Sequence, residues 1–198
     1  MSEILWQPSP ERIHNTRMDQ FRRFINDRHG VQLSDYPALH QWSIDQRPDF
    51  WQAIVTFFDV QFRSPPSAVL IEDAEMPSAQ WFPGATLNFA EHLLRRRDDH
   101  PAVVAISEDG QREQLTYAEL AAHVAGLQDS LRAAGVGSGD RVAACMPNTW
   151  QTLVGMLATT SLGAIWSCSS PDFGTQGVID RFGQIEPKVL ITCAGYRY

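Results

Sequence analysis

Residues 135–140 read GVGSGD and run at once into RVAAC. A glycine-rich loop can cradle phosphate, because backbone amides approach an anion closely where no side chain intervenes. That cradle requires the order strand, loop, helix, since the free amides and the positive dipole end lie at a helix N-terminus. Few other residues have the types and spacing for chemistry. Cys145, Cys168 and Cys193 form no CxxC pair, and each lies in or beside a short apolar run. They read as small buried hydrophobes, with redox or catalytic use as the alternative. His14, His29, His40, His92, His100 and His123 fall without HxH or HExxH spacing, which argues against a zinc centre and suits surface or capping roles.

Whether GVGSGD can hold phosphate depends on its neighbours. Upstream, Thr116 and Glu119 form a T-x-x-E capping box, and Tyr117, Leu120, Ala121, Val124, Leu127, Leu131 and Ala134 recur at helical spacing. Downstream, RVAACM (141–146) is a short apolar strand. The glycines therefore lie between a helix and a strand, at the negative end of the helix dipole, and the reading is a turn with Gly135 as a left-handed cap. A dinucleotide-binding fingerprint fails on the same inverted order.

Further along, a helix over TWQTLVGMLATTSLG with Asn148 or Thr149 as cap, a strand AIWSCS (164–169), a helix TQGVIDRFGQIE and a strand KVLITC (188–193) follow in turn. Strand, helix, strand, helix, strand predicts right-handed crossovers onto a parallel sheet. Ligands of such sheets bind beyond the carboxyl ends of the strands, so the loops beginning at Pro147, Ser169 and Ala194 are the candidate site loops. Before the first helix, AVVAI (102–106) and REQLT (112–116) read as a hairpin turned by Asp109-Gly110.

The first half is a helical, aromatic-rich lead-in. Ile13, Met18, Phe21, Phe24 and Ile25 predict an amphipathic helix from Pro10 to about Arg28, ended by Gly30. A second helix is predicted from Asp49 to Phe62, with a wide stripe of Phe50, Trp51, Ile54, Val55, Phe57, Phe58 and Phe62. RSPPS, EMPS and WFPGA break residues 63–84 into irregular chain. In LNFAEHLLRRR, Asn88 caps a helix with Glu91 three residues on, and Arg95, Arg96 and Arg97 fall in its last turn.

The 198 residues, 43% hydrophobic and 20% charged, lie in the globular range. A formal net charge of -7 argues against nucleic acid as the partner. No apolar run is long enough to cross a bilayer, and MSEILWQPSPERIHN lacks a signal-peptide layout, so the expected partners exclude a membrane and the expected location is cytoplasmic. The fold class is α/β: a helical N-terminal lead-in followed by an incomplete, mainly parallel doubly wound sheet with a hairpin. A boundary is placed between a lead-in of residues 1–98 and the start of a larger domain at 99–198.

WFPGATLNFAEHLL, LTYAEL, GVGSGDRVAACMPN, MLATTSLGAIWSCSSPDFG, GVIDRFGQIEPKVLI and GYRY together resemble the AMP-forming acyl-CoA synthetase superfamily, nearly end to end. LTYAEL is widespread there, while SSPDFG and GYRY resemble a branch acting on acetoacetate. The match departs in detail at Trp150-Gln151 and in the order SCSSP. The resemblance implies a lead-in like that of acetyl-CoA synthetases, packed on the opening of an adenylating domain. It also implies a parent enzyme that joins a short carboxylic acid to CoA through an acyl-adenylate, using ATP and magnesium. The superfamily's phosphate loop, its Tyr-x-Ser/Thr-Glu motif, its ribose-binding Asp and its catalytic Lys are expected beyond Tyr198, so the 198 residues alone are expected to be inactive.

By the same similarity, Ser170, Pro171, Asp172 and Phe173 and then Arg197 match positions that contact the nucleotide end of CoA. Each lies at a carboxyl end of a predicted strand, and a guanidinium suits a CoA phosphate. The competing reading of SPDFG is a strand-to-helix turn in which Asp172 caps the next helix. Arg181 is read as part of a solvated or salt-bridged face, and Trp81 and Trp166 as packing residues rather than substrate walls. The alternative function is a stand-alone CoA-binding or oligomerisation module that self-associates through an exposed sheet edge.

Overall fold

The computed structural model describes residues 5–71 and 78–196. They fall in two compact units, Met1–Leu87 and Asn88–Tyr198. In the first, the expected helix from Pro10 is two helices, α1 (Pro10–His14) and α2 (Arg17–His29). Thr16 causes the break: its hydroxyl donates to the Ile13 carbonyl at 2.7 Å and accepts from the Asp19 amide at 3.1 Å, so one side chain closes α1 and opens α2. Gly30 then ends α2 at φ 65°, the left-handed conformation expected of it.

Two further helices follow, α3 (Tyr36–Asp45) and α4 (Arg47–Phe57). α3 is not among the helices expected from periodicity, although Asp35 accepts from the Ala38 amide at 2.9 Å and Pro37 stands in the first turn. The helix expected to reach Phe62 stops at Phe57, because Asp59 turns left-handed at φ 51° and the Val60 amide reaches back to the Val55 carbonyl at 2.9 Å. The aromatic stripe is core only in part: Phe50, Ile54 and Phe57 pack with Phe24 against buried Phe21, Ile25, Leu39 and Ala53, while Trp51 and Phe58 are 42% and 47% exposed. Trp81 lies edge-on to Trp51 at 5.8 Å, as a packing residue should. Among the described residues, the proline-broken stretch contains the two-residue pair β1 (Leu70–Ile71) and β2 (Gln80–Trp81) and a bridge from Ser64 to Thr86, and most of EMPS lies outside the described residues.

The second unit begins with α5 (Phe89–Leu93), capped by Asn88, whose carbonyl oxygen accepts from the Glu91 amide at 3.0 Å. The Asn88 amide also donates to the carbonyls of Thr160 and Ser161 at 3.2 and 3.1 Å. Arg95, Arg96 and Arg97 lie past the end of α5 rather than in its last turn, and Arg96 pairs with Asp98. The hairpin of β3 (Pro101–Ile106) and β4 (Arg112–Thr116) is antiparallel as expected, with Gly110 left-handed at φ 78°. Thr116 and Glu119 form the reciprocal capping box that opens α6 (Tyr117–Ala133).

GVGSGD is a turn. Gly135 takes φ 78°, and the Val136 amide returns to the Leu131 carbonyl at 2.9 Å. The Asp140 carboxylate accepts from the Gly137 amide at 2.8 Å and from the Lys188 ammonium at 3.0 Å, contacts that hold it below the ordinary carboxylate range, the amide first. Lys188 also donates to the Gly135 carbonyl at 2.5 Å. An amine thus occupies the place a phosphate cradle would have given to an anion, as the negative end of α6 requires.

After the turn come β5 (Arg141–Cys145), α7 (Trp150–Ser161), β6 (Ile165–Ser169), a 3-10 turn (Pro171–Phe173), α8 (Gly174–Phe182) and β7 (Val189–Thr192). The sheet is parallel, with order β6-β5-β7. The two crossovers run in opposite directions from their strands, and right-handed connections then set α7 and α8 on opposite faces, the doubly wound arrangement. Register aligns Val142 with Trp166 and Val189 on the α7 face, where Val142, Leu157 and Ala158 are buried and Trp166 and Ile191 pack in. Gly155 makes that packing feasible: a Cβ there would stand 2.7 Å from the Trp166 ring. Cys168 is exposed and Cys145 and Cys193 are only part-buried, against expectation. Among the described residues the sheet has three strands, so β6 and β7 are its edges and Cys168 lies on an edge strand.

Candidate active-site cleft

The carboxyl ends of β5, β6 and β7 open into a cleft of about 550 Å³. The three loops expected from topology converge there: Pro147, Asn148 and Thr149 follow β5, Ser170 and Asp172 follow β6, and Tyr196 follows β7. The fourth wall is the β3–β4 turn, with Ser107, Glu108, Asp109 and Gln111 lining the cleft together with Glu113 of β4. Glu113 holds that wall in place by accepting from the Trp150 indole N–H at 2.7 Å, and Trp150 packs on His123 at 4.9 Å. The hairpin's share in the site was missed from the sequence. Asp109-Gly110 signals a turn, but nothing local says what the turn faces.

Ser170 and Asp172 are the centre of the strand-end geometry. The Ser170 hydroxyl donates to Asp172 Oδ2 at 2.6 Å and accepts from the Asp172 amide at 3.3 Å, which caps the 3-10 turn. Tyr196 donates its hydroxyl to Asp172 Oδ1. These two hydroxyls, Ser170 first, hold the Asp172 carboxyl below its usual range, so it is a fixed negative charge at neutral pH. Asp172 therefore does not cap α8, whose N-cap residue is Phe173 with no side-chain bond. Phe173 instead lies under the Arg181 guanidinium, 3.9 Å from the ring centroid, and Arg181 also donates to the Gly177 carbonyl at 2.9 Å. Pro171 supplies the first position of the 3-10 turn, and Arg197 lies outside the described residues.

The donor set decides what the cleft can hold. Ser107, Gln111 and Asn148 offer a hydroxyl and amides, and Glu108, Asp109, Glu113 and Asp172 offer carboxylates. No lysine or arginine is among the described residues that line it. The hydroxyl of Thr149 is buried and has no hydrogen-bond partner among the described residues. Such a cleft offers hydrogen-bond partners to hydroxyl and amide groups, while its carboxylates oppose a phosphate on these walls. Among the described residues, no group of three or more His, Cys, Asp or Glu side chains is placed to hold a metal ion, and no helix is long and apolar enough to cross a membrane.

A parallel doubly wound sheet with a cleft at its strand ends defines the fold class, and the chain belongs to the AMP-binding enzyme family, whose model matches residues 89–197. A second model, acetyl-coenzyme A synthetase N-terminus, matches residues 36–93. The particular relatives are acyl-CoA synthetases. The acetoacetyl-coenzyme A synthetase of Rhizobium meliloti (strain 1021) is 47% identical over 98% of this chain, and a malonamoyl-CoA synthetase of Penicillium aethiopicum is 40% identical over 96%. The solved acetoacetyl-CoA synthetase from Streptomyces lividans matches the whole chain at 46% identity with a TM-score of 0.91. The chain spans 30%, 27% and 31% of these three proteins, the N-terminal part in the acetoacetyl-CoA synthetases.

Proposed function

We propose that the chain is the opening segment of a ligase that joins acetoacetate to CoA through an acyl-adenylate, and that its strand-end cleft contributes to the CoA site. The observation that carries this reading is the convergence of three strand-end loops on Ser170, Asp172 and Tyr196. Ser170 and Asp172 would orient hydroxyl and amide groups of CoA, Pro171 and Phe173 would shape the turn beneath them, and Arg197 would meet a phosphate that the acidic walls do not attract. ATP and magnesium would be engaged by parts of the ligase outside residues 1–198. A cytoplasmic setting belongs to this reading, as ATP and CoA are its substrates.

CoA at a concentration equal to its Kd is expected to raise the melting temperature by about 1 °C. Replacing both Ser170 and Asp172 by alanine is expected to remove that shift. No shift at millimolar CoA, in scanning fluorimetry of the 198-residue chain, would count against the cleft. The ligase reading has its own test. Residues 1–198 exchanged into the Streptomyces lividans enzyme should support acetoacetate-dependent AMP release, while the 198 residues alone should release none. A folded chimera that uses malonamate in preference to acetoacetate would overturn the choice of acid.

A second reading, self-association through a sheet edge, is favoured by Ile165 and Leu190. They share the α8 face of the sheet, on edge strands, and are 54% and 49% exposed. Sedimentation velocity at tens of micromolar should then show a dimer that Ile165→Lys converts to monomer. A monomer throughout that range would rule this reading out.

A further inference from the structure

We propose that the helical unit carries a separate binding site, an apolar cavity between α2, α3 and α4 that takes the tail of a medium-chain monocarboxylate, with Arg17 holding the carboxylate. The cavity measures about 390 Å³, within the roughly 300–1,000 Å³ of ordinary small-molecule sites. Phe21 and Leu39 are buried residues of its lining, 4% and 3% exposed, and Phe50 and Ile54 line it from α4. Met18 also lines it, yet is 51% exposed. A large apolar side chain left in water beside a concave apolar surface marks a place where something apolar binds.

The polar groups around the cavity select the head group. Arg17, Tyr36, His40 and Ser43 are its polar lining residues and no carboxylate is among them; Ser43 already donates to the His40 carbonyl at 2.7 Å, and Tyr36 stacks on His40 at 6.1 Å. Arg17 donates to the Gln20 side chain at 3.0 Å, which leaves the other donors of its guanidinium fork for an anion. A cation would find no acidic group here. An acyl tail with one terminal carboxylate matches both the apolar wall and the single-signed charge. The site is independent of the strand-end cleft, because all of its residues lie between Arg17 and Phe58.

The probe is a series of hexanoate, octanoate and decanoate titrated into the 198-residue chain with labelled methionine methyls. The Met18 methyl resonance is expected to shift saturably, with Kd tightening about four-fold per added methylene. Met146 and Met156, far along the chain, should stay in place. Arg17→Ala should weaken octanoate about ten-fold and leave octan-1-ol unchanged. Met18→Asp, at a half-exposed position that keeps the far-UV spectrum, should abolish binding. The proposal falls if octanoate produces no saturable shift at millimolar concentration. It falls too if all three methyls move together, or if Arg17→Ala leaves octanoate affinity unchanged. Concentration-dependent Met18 shifts without added acid would assign the cavity to a second copy of the chain and overturn it as well.

Discussion

Phe21→Ala is expected to lower the stability of the helical unit by about 3–5 kcal/mol, the range for removing a buried phenylalanine. The ring is 4% exposed and meets those of Phe24, Phe50, Phe57 and Phe58 at centroid distances of 6.4, 5.8, 5.2 and 6.3 Å. It joins α2 to both ends of α4, so truncation removes contacts on several sides that one helix cannot close by shifting. Urea unfolding followed by circular dichroism measures the loss. Phe21→Leu, which keeps much of the volume, should cost distinctly less. A loss below about 1 kcal/mol for alanine would mean that the aromatic stripe is not packed as a core.

The second large effect is electrostatic. Asp19 is buried, its side chain 8% exposed, and it collects Arg22 at 2.7 Å, Arg23 at 3.2 Å and His14 at 3.7 Å. Arg22 is itself 18% exposed and also donates to the Leu33 carbonyl, which ties the chain after Gly30 back onto α2. Asp19→Ala leaves two guanidinium groups side by side without their shared carboxylate. We expect a loss of about 3 kcal/mol, at the low end of the cost of breaking a buried ion pair because both arginines keep some solvent. Asp19→Asn, which still accepts hydrogen bonds, should lose less. Repeating the measurement in 1 M salt separates the explanations: a loss that persists reflects the buried carboxylate, while one that vanishes would assign it to screened surface charge.

Much of the local architecture was legible because its signals act between close neighbours. Thr116 and Glu119 announce α6, Asn88 announces α5, and Asp109-Gly110 announces the hairpin, each through bonds spanning two to four residues. The glycines of GVGSGD were classified by the order of the elements around them, and Lys188 on the Gly135 carbonyl agrees with that polarity. The misreadings have local causes too. Thr16 splits a continuous amphipathic pattern with a single hydroxyl, and Asp59 adopts a left-handed turn that periodicity does not register. α3 was passed over although its Asp35 cap and Pro37 were readable.

By itself, then, the sequence determined the identity and order of most elements in the α/β half, the turn at 135–140, and which strand ends could face a ligand. Those features depend on backbone sterics, capping bonds and side-chain periodicity within a few residues. Only the tertiary structure decided that β5 stands between β6 and β7 and that Asp172 takes hydroxyls from Ser170 and Tyr196 instead of capping α8. It also decided that the β3–β4 turn forms a wall of the cleft and that Met18 and Phe58 meet around one cavity. The physical reason is sequence separation: Ser107, Asn148, Ser170 and Tyr196 meet only once the sheet has chosen its strand order, and that choice rests on non-local packing.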